Sequence, residues 1–324
     1  MKRFESFMAR ELEEYVAYRK HLGYAKKGLR TSLTAFDLYL KEHNADWDAM
    51  QPSFFLQLRT TINNQPNTVN GFFSGIRSFF DFLMRKGTCD HNPVEDIPPL
   101  PQKHFIPFVF SPEETDQLLR AICKRLRKTQ KHFLRDVSIY LAILLMARCG
   151  MRISEPLRLL RAHYRADDGT LYIEKTKFRK DRLIPVPKAV IKEIENYLSM
   201  RRSLMPHDEN PYLLVGNHQK GLKGHQVRDV FHQAVSDIGL QRSKQAIGNV
   251  TFGYPIPHSL RHAFAINTLK QIKERGESTQ YALPVLAAYM GHRKYHYTHA
   301  YLKVADAKHV AGLISFSKSR MDHL

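Results

Sequence analysis

The chain has 324 residues, enough for two domains of ordinary size, and 43% of them are hydrophobic, too many for general disorder. Its 50 Lys and Arg against 31 Asp and Glu give a net charge of +19 and a pI near 9.8, a balance that favours a polyanionic partner, nucleic acid above all. No apolar run is long enough to cross a bilayer, Met1–Glu5 lacks a signal-peptide core, and three cysteines (Cys89, Cys123, Cys149) without CxxC spacing argue against a disulfide framework or a zinc site, so a soluble cytoplasmic chain is expected.

The first hundred residues read as helices. Phe7, Leu12, Tyr15 and Val16 make one apolar stripe at helical spacing, and Leu33, Phe36, Leu38, Tyr39 and Leu40 a second. A third helix starts near Pro52, and a fourth near Asn67-Thr68 carries Val69, Phe72, Phe73, Ile76, Phe79, Phe80, Phe82 and Leu83 to a stop at Gly87. Phenylalanines at this spacing are core residues, so residues 1–97 are expected to form a small helical bundle. Six prolines between 93 and 112 mark a linker, placed at 98–110.

Residues 111–324 form the second expected domain. Ser111-Pro112-Glu113-Glu114 is a helix start, with a capping serine, proline in the first turn and acids at the positive end of the dipole. Helices are expected over 111–128 and about 134–149. The turn Asp167–Thr170 leads into the strand Leu171–Ile173, a basic tip spans Lys175 to Arg182, and Leu183–Val186 returns. The remainder reads as helices, with loops at 205–225 and 241–257. The fold class is therefore mainly α with one small antiparallel sheet. Charge is unevenly shared: residues 1–105 carry +2 and the rest +17.

The basic part also holds Gly150-Met151-Arg152-Ile153-Ser154-Glu155, then His258-Ser259-Leu260-Arg261-His262, then Gly291-His292 and Tyr301. Opening a phosphodiester through a covalent link needs a nucleophile, cations for the phosphorane charge, a base and an acid. A tyrosine with pKa ~10 needs electrostatic help near neutrality, and arginine offers phosphate a planar, permanently charged fork. Histidine pairs at i, i+4 (258 and 262, 292 and 296) have a spacing also used by metal ligands. Ser259 and Arg293 stand where a metallohydrolase would place glutamate, so no metal or cofactor is expected.

These motifs, in this order, resemble the tyrosine recombinase (phage integrase) family over nearly the whole chain. Ala147–Glu155 resembles its first arginine box, Pro257–Ala265 its His-x-x-Arg box and Met290–His292 its Gly-His box. Asn67-Thr68-Val69, Phe79–Leu83 and Asn92-Pro93 resemble its helical DNA-clamping domain. The resemblance implies that Arg152 and Arg261 bind the non-bridging oxygens of the scissile phosphate. It makes His258 a general base or proton shuttle and His292 a hydrogen-bond donor to the phosphate. Tyr301, nine residues after His292, would form a 3′-phosphotyrosyl link and release a 5′-hydroxyl, with Tyr297 in reserve. The leaving-group acid falls on Lys177, where Thr176 and Phe178 replace the frequent flanking glycines; Lys175 and Lys180 remain alternatives. Glu155 would buttress the arginine or the histidine box. Lys26, Lys27, Arg30, Arg77, Arg85, Arg179 and Lys180 are candidate DNA contacts. The implied partner is double-stranded DNA at specific sites, met by four protomers, with the tail 302–324 docking on a neighbour or on its own domain. The implied setting is integration, excision or transposition of a mobile element, by a nucleoid-associated protein in a bacterium. A type IB topoisomerase and an inactive DNA-binding paralogue are the alternatives.

Overall fold

The computed structural model describes residues 3–24, 26–102, 104–174, 181–216, 220–248 and 250–291, and the chain divides into two units, Met1–Lys103 and His104–Leu324. In the first unit, helices α1 (Ala9–His21), α2 (Lys26–Glu42), α3 (Pro52–Thr61) and α4 (Pro66–Arg85) enclose a phenylalanine-rich core. Proline occupies the first turn of α3 and α4, where its missing N–H costs nothing. This moves the start of α4 ahead of Asn67-Thr68, with Gln65 as its N-terminal cap. Phe80 meets Phe55 edge-on at 5.5 Å between centroids, and Phe55 lies 6.0 Å from Phe36. Two expected stripe residues lie outside this core. Leu38 is 53% exposed, because it sits two positions, or about 200° of helix, from Phe36 and Leu40. Phe7 precedes α1 and packs edge-on against Trp47 instead.

Two of the arginines expected to contact DNA have partners inside this unit. The Arg77 guanidinium donates to the carbonyls of Val94 (3.0 and 3.2 Å) and Ile97 (3.0 Å), tying the following segment to α4. Arg30 makes a two-pronged pair with Glu13 (2.6 and 2.8 Å) and lies over the Phe4 ring. Arg85 is exposed in the last turn of α4, and Lys26 and Lys27 open α2. The first residues of the proline-rich stretch are fastened to the bundle. Arg59 donates to the Pro98 carbonyl at 3.0 Å, and Asn70 brackets Leu100 with two hydrogen bonds of 2.8 Å.

The second unit follows the helical pattern with more strands than expected. Helix α5 (Pro112–Lys124) opens on the anticipated cap: Ser111 Oγ accepts from the Glu114 N–H at 3.1 Å, and Glu114 accepts from the Ser111 N–H at 2.8 Å. Helix α6 (Gln130–Arg148) runs through the core, packed by α7 (Lys188–Leu204), α8 (Gly224–Asp237) and α9 (Pro257–Glu274). The expected hairpin belongs to a three-stranded antiparallel sheet. Its strands are β2 (Tyr164–Arg165), β3 (Thr170–Ile173) and β4 (Arg182–Pro185).

A second sheet corrects the expectation of a single one. Strand β1 (His104–Ile106), inside the stretch read as linker, pairs in parallel with β6 (Val250–Phe252), which pairs antiparallel with β5 (Gln245–Ile247). The 241–257 stretch is thus not simply a loop. Its strands are three residues long and mostly exposed, too short for an alternating pattern to register. Helix α10 (Thr279–Met290) packs on α9 and ends at Gly291, whose φ of +64° closes the helix in the left-handed region.

Candidate active site

Two turns and two helix ends build the site. Helix α6 stops at Cys149, and Gly150, at φ +58°, turns the chain toward Arg152. A Cβ at Gly150 would lie 2.4 Å from the Phe264 ring of α9, so this close approach also requires glycine. Residues 152 and 155 then lock together locally. The Glu155 N–H donates to the Arg152 carbonyl (2.8 Å), the Arg152 N–H donates to Glu155 Oε2 (2.8 Å), and Arg152 Nη1 donates to Glu155 Oε1 (2.9 Å). From α9, His258 and Arg261 stand three residues apart and so share a face of its first turns.

The end of α10 gathers the arginines. Three consecutive carbonyls each accept from a different guanidinium: Tyr289 O from Arg182 Nε (2.7 Å), Met290 O from Arg261 Nη2, and Gly291 O from Arg152 Nη2 (2.9 Å). Arg261 Nη1 also donates to the Gly150 carbonyl at 2.5 Å, joining the two turns. A helix C-terminus carries about half a negative charge, so it attracts cations. Glu155 supplies a full negative charge: Arg182 grips both its oxygens, at 3.1 and 3.0 Å. Three guanidiniums, one carboxylate and one helix end leave about +1.5 of charge, a site that calls for a further anion. Arg152 keeps 22% of its side-chain surface open, whereas Arg261 is only 1% exposed.

The protonation states follow from this arrangement. Burial would raise the Glu155 carboxyl, but the Arg182 hydrogen bonds and charge, the Arg152 N–H and the Arg261 charge outweigh it and hold it below the ordinary carboxylate range. His258 is pushed down to about 4, first by burial and then by the charges of Arg261 and Arg152, with Glu155 opposing. The residue as a whole reaches the surface, so the direction rests most firmly on the two cations. His258 is therefore a neutral imidazole at neutral pH, able to accept a proton.

We expect the His258 ring resonance, assigned with His258→Asn, to titrate near 4 in the free protein and to move up when a phosphodiester binds. A free-protein midpoint near ~6.5, the ordinary histidine value, would remove the cationic environment. The depressed value means that the folded protein binds fewer protons than the unfolded chain between about 4 and ~6.5. Stability from this group is thus intact above ~6.5 and is lost as pH falls through that window.

The structure brings Arg152, Glu155, His258 and Arg261 together. Lys177, Arg179 and Lys180, with Lys175, lie outside the described residues, as do His292, Tyr297, Tyr301 and the tail 302–324. Arg182 is the member that sequence reasoning missed as a site residue. Its signal was parity: Arg182 and Ile184 share one face of β4, Ile184 is buried, and the intervening Leu183 is 47% exposed. An arginine on the inner face with leucine outside is an inverted pattern.

The site and fold agree with comparisons to known proteins. The phage integrase family model matches residues 109–308, and the chain belongs to that family. It is an enzyme of the tyrosine-recombinase type, a DNA strand transferase. It is 28% identical over 305 residues to a Sinorhizobium fredii protein provisionally named integrase/recombinase y4rE, covering 93% of each chain. It is 25% identical over 299 residues to a tyrosine recombinase of Thermosipho africanus, covering 90% of this chain and 93% of that one. The XerH site-specific recombinase, solved on palindromic difH DNA as a post-cleavage complex, shares the fold with a TM-score of 0.66 at 17% identity, covering 87% of this chain and 77% of that one.

Proposed function

We propose that this enzyme recombines DNA at specific sites, cutting and rejoining it through a 3′-phosphotyrosyl link to Tyr301. The main support is the meeting of Arg152, Arg261 and Glu155 at the end of α10, with a net positive charge beside a neutral His258. His292 follows that point directly in the chain, and Tyr301 comes nine residues later. The Tyr301 oxygen attacks phosphorus, and the phosphorus–5′-oxygen bond breaks. His258 receives the phenol proton directly or by relay, and a lysine of the 175–180 tip, Lys177 first, protonates the departing 5′-oxygen. Arg152 and Arg261 stabilise the phosphorane oxygens, which metal ions do in other phosphoryl-transfer sites.

The phosphotyrosine conserves the bond energy, so the 5′-hydroxyl of a partner strand reverses the reaction and strands are exchanged without an external energy source. XerH was solved on a palindrome, and two half-sites call for two protomers. Two such sites make four protomers, exchanging strands for integration, excision or transposition of a mobile element.

A nicked suicide substrate carrying the cognate site provides the test. The expected product is a covalent protein–DNA band whose yield is unchanged by EDTA and whose DNA-bearing peptide contains Tyr301. No adduct on cognate DNA would end the proposal, and loss of the adduct with EDTA would replace it with metal-dependent chemistry. Relaxation of unrelated plasmids at a comparable rate would instead favour a topoisomerase.

A further inference from the structure

Arg182 lies outside the residues that the recombinase reading uses, yet it occupies the centre of the network. Its side chain is 9% exposed, and its three nitrogens point to three acceptors on two different segments. Nη1 and Nη2 take the two Glu155 oxygens, and Nε takes the Tyr289 carbonyl. It is also the first residue of β4, directly after the 175–181 stretch that carries the candidate leaving-group lysines. Gly291 sits against it: a Cβ there would lie 3.0 Å from Arg182 Nη1. The left-handed φ of Gly291 and this contact both disfavour a larger residue.

We infer that Arg182 is a positioning residue for the strand-transfer reaction, one guanidinium that fixes the Glu155–Arg152 pair, the end of α10 and the base of the hairpin tip in a single arrangement. This role presupposes the recombinase reading and adds to it the residue that sets the site's geometry. A planar fork with three directed donors suits the task, and a lysine, with one compact ammonium, cannot serve both Glu155 oxygens and a carbonyl on the opposite side. Arg182 also keeps Glu155 ionised in a buried place. The charged and titratable groups facing Glu155 are Arg152 from the turn after α6, Arg182 from β4, and Arg261 and His258 from α9, while the Tyr289 phenol of α10 interacts with Arg182 and Arg261. Removing Arg182 takes away the largest influence that opposes burial, so the Glu155 carboxyl rises. A protonated Glu155 loses its charge and one of the two acceptors that orient Arg152.

The test is single-turnover cleavage of the suicide substrate from about pH 5 to 9, the range in which a raised carboxyl would titrate. It uses the full-length wild type, Arg182→Met and Arg182→Lys, with DNA affinity measured by fluorescence anisotropy and folding checked by circular dichroism. Arg182→Met is expected to cleave about 10²-fold more slowly at neutral pH, as misplacing a reacting group by about an ångström does, with DNA affinity unchanged. Its rate should fall further as the solution is acidified and recover as pH rises, with this limb lying at higher pH than the limb that protonation of His258 gives wild type. Arg182→Lys should cleave about tenfold more slowly with the wild-type profile kept, since it retains the charge and loses the fork. If Arg182→Met does not fold, Arg182→Lys decides: a wild-type rate overturns the proposal. Equal slowing of both variants at every pH overturns it too, because that marks a general structural role. If wild type itself forms no adduct, the recombinase reading fails instead, which separates the two.

Discussion

Arg261→Met is expected to lower the melting temperature of the second unit by on the order of 10 °C and to slow covalent DNA cleavage by about 10³-fold. Methionine keeps much of the unbranched stem and removes the guanidinium, leaving the Gly150 and Met290 carbonyls without this donor in a place that is 1% exposed. Breaking one partner out of a buried charged network costs about 3–5 kcal/mol, and each kcal/mol shifts the melt by about 2–4 °C in a unit of this size. The kinetic loss has a separate origin, since a preorganised donor aimed at developing charge contributes about 10²–10³-fold. Cleavage is therefore measured well below the variant's own melting point. Arg261→Lys should melt between the two, because an ammonium keeps the charge but reaches one carbonyl, not both. An unchanged melt for Arg261→Met would mean that the guanidinium does not join the Gly150 turn to α10, and the site as described would be wrong.

What could be read in advance depends on how far apart the partners lie in the chain. The first-unit helices follow from apolar residues spaced three and four apart, and Leu38 departs from them only because it sits on the wrong side of the turn. The Ser111–Glu114 cap is likewise a matter of three residues. Arg152 with Glu155, and His258 with Arg261, are each three apart, so one turn brings each pair to one place. Arg182 depends on Glu155, 27 residues away, and on Tyr289, 107 residues away. Nothing within a short window announces those pairings. The β1–β6 pairing joins residues 104–106 to 250–252, equally invisible to local pattern. Arg77 shows the reverse limit of local pattern: a cation on a helix of a basic protein suggests phosphate, and nothing nearby in the sequence announces that its Nε and Nη2 donate to the Val94 and Ile97 carbonyls.

Tyr301→Phe should abolish the covalent adduct, a loss on the order of 10⁴-fold or more, while Tyr297→Phe retains it. Phenylalanine keeps the ring and removes the oxygen proposed to attack phosphorus. DNA affinity and its salt dependence come from Arg and Lys contacts to phosphate, so both should be unchanged in the same preparation. A phenol with pKa ~10 is a weak nucleophile at neutral pH unless positive charge stabilises its anion. The arginines gathered at the end of α10 carry that charge, and Tyr297 and Tyr301 follow Gly291 by six and ten residues. If the behaviour of the two variants is exchanged, Tyr297 is the nucleophile; if both still form the adduct, the nucleophile lies elsewhere.

The same variant decides which protomer supplies the tyrosine. Ten residues span at most about 35 Å when extended, so length alone would permit attack in a neighbouring site. Gly291 is fastened to Arg152 of its own chain, and the chain's own site needs the shortest path, so we expect Tyr301 to act there. Mixing Tyr301→Phe with Arg261→Met on one DNA should then yield no more adduct than Arg261→Met alone, because a complete site requires both residues from one protomer. Adduct restored in the mixture would show the tyrosine crossing to its neighbour.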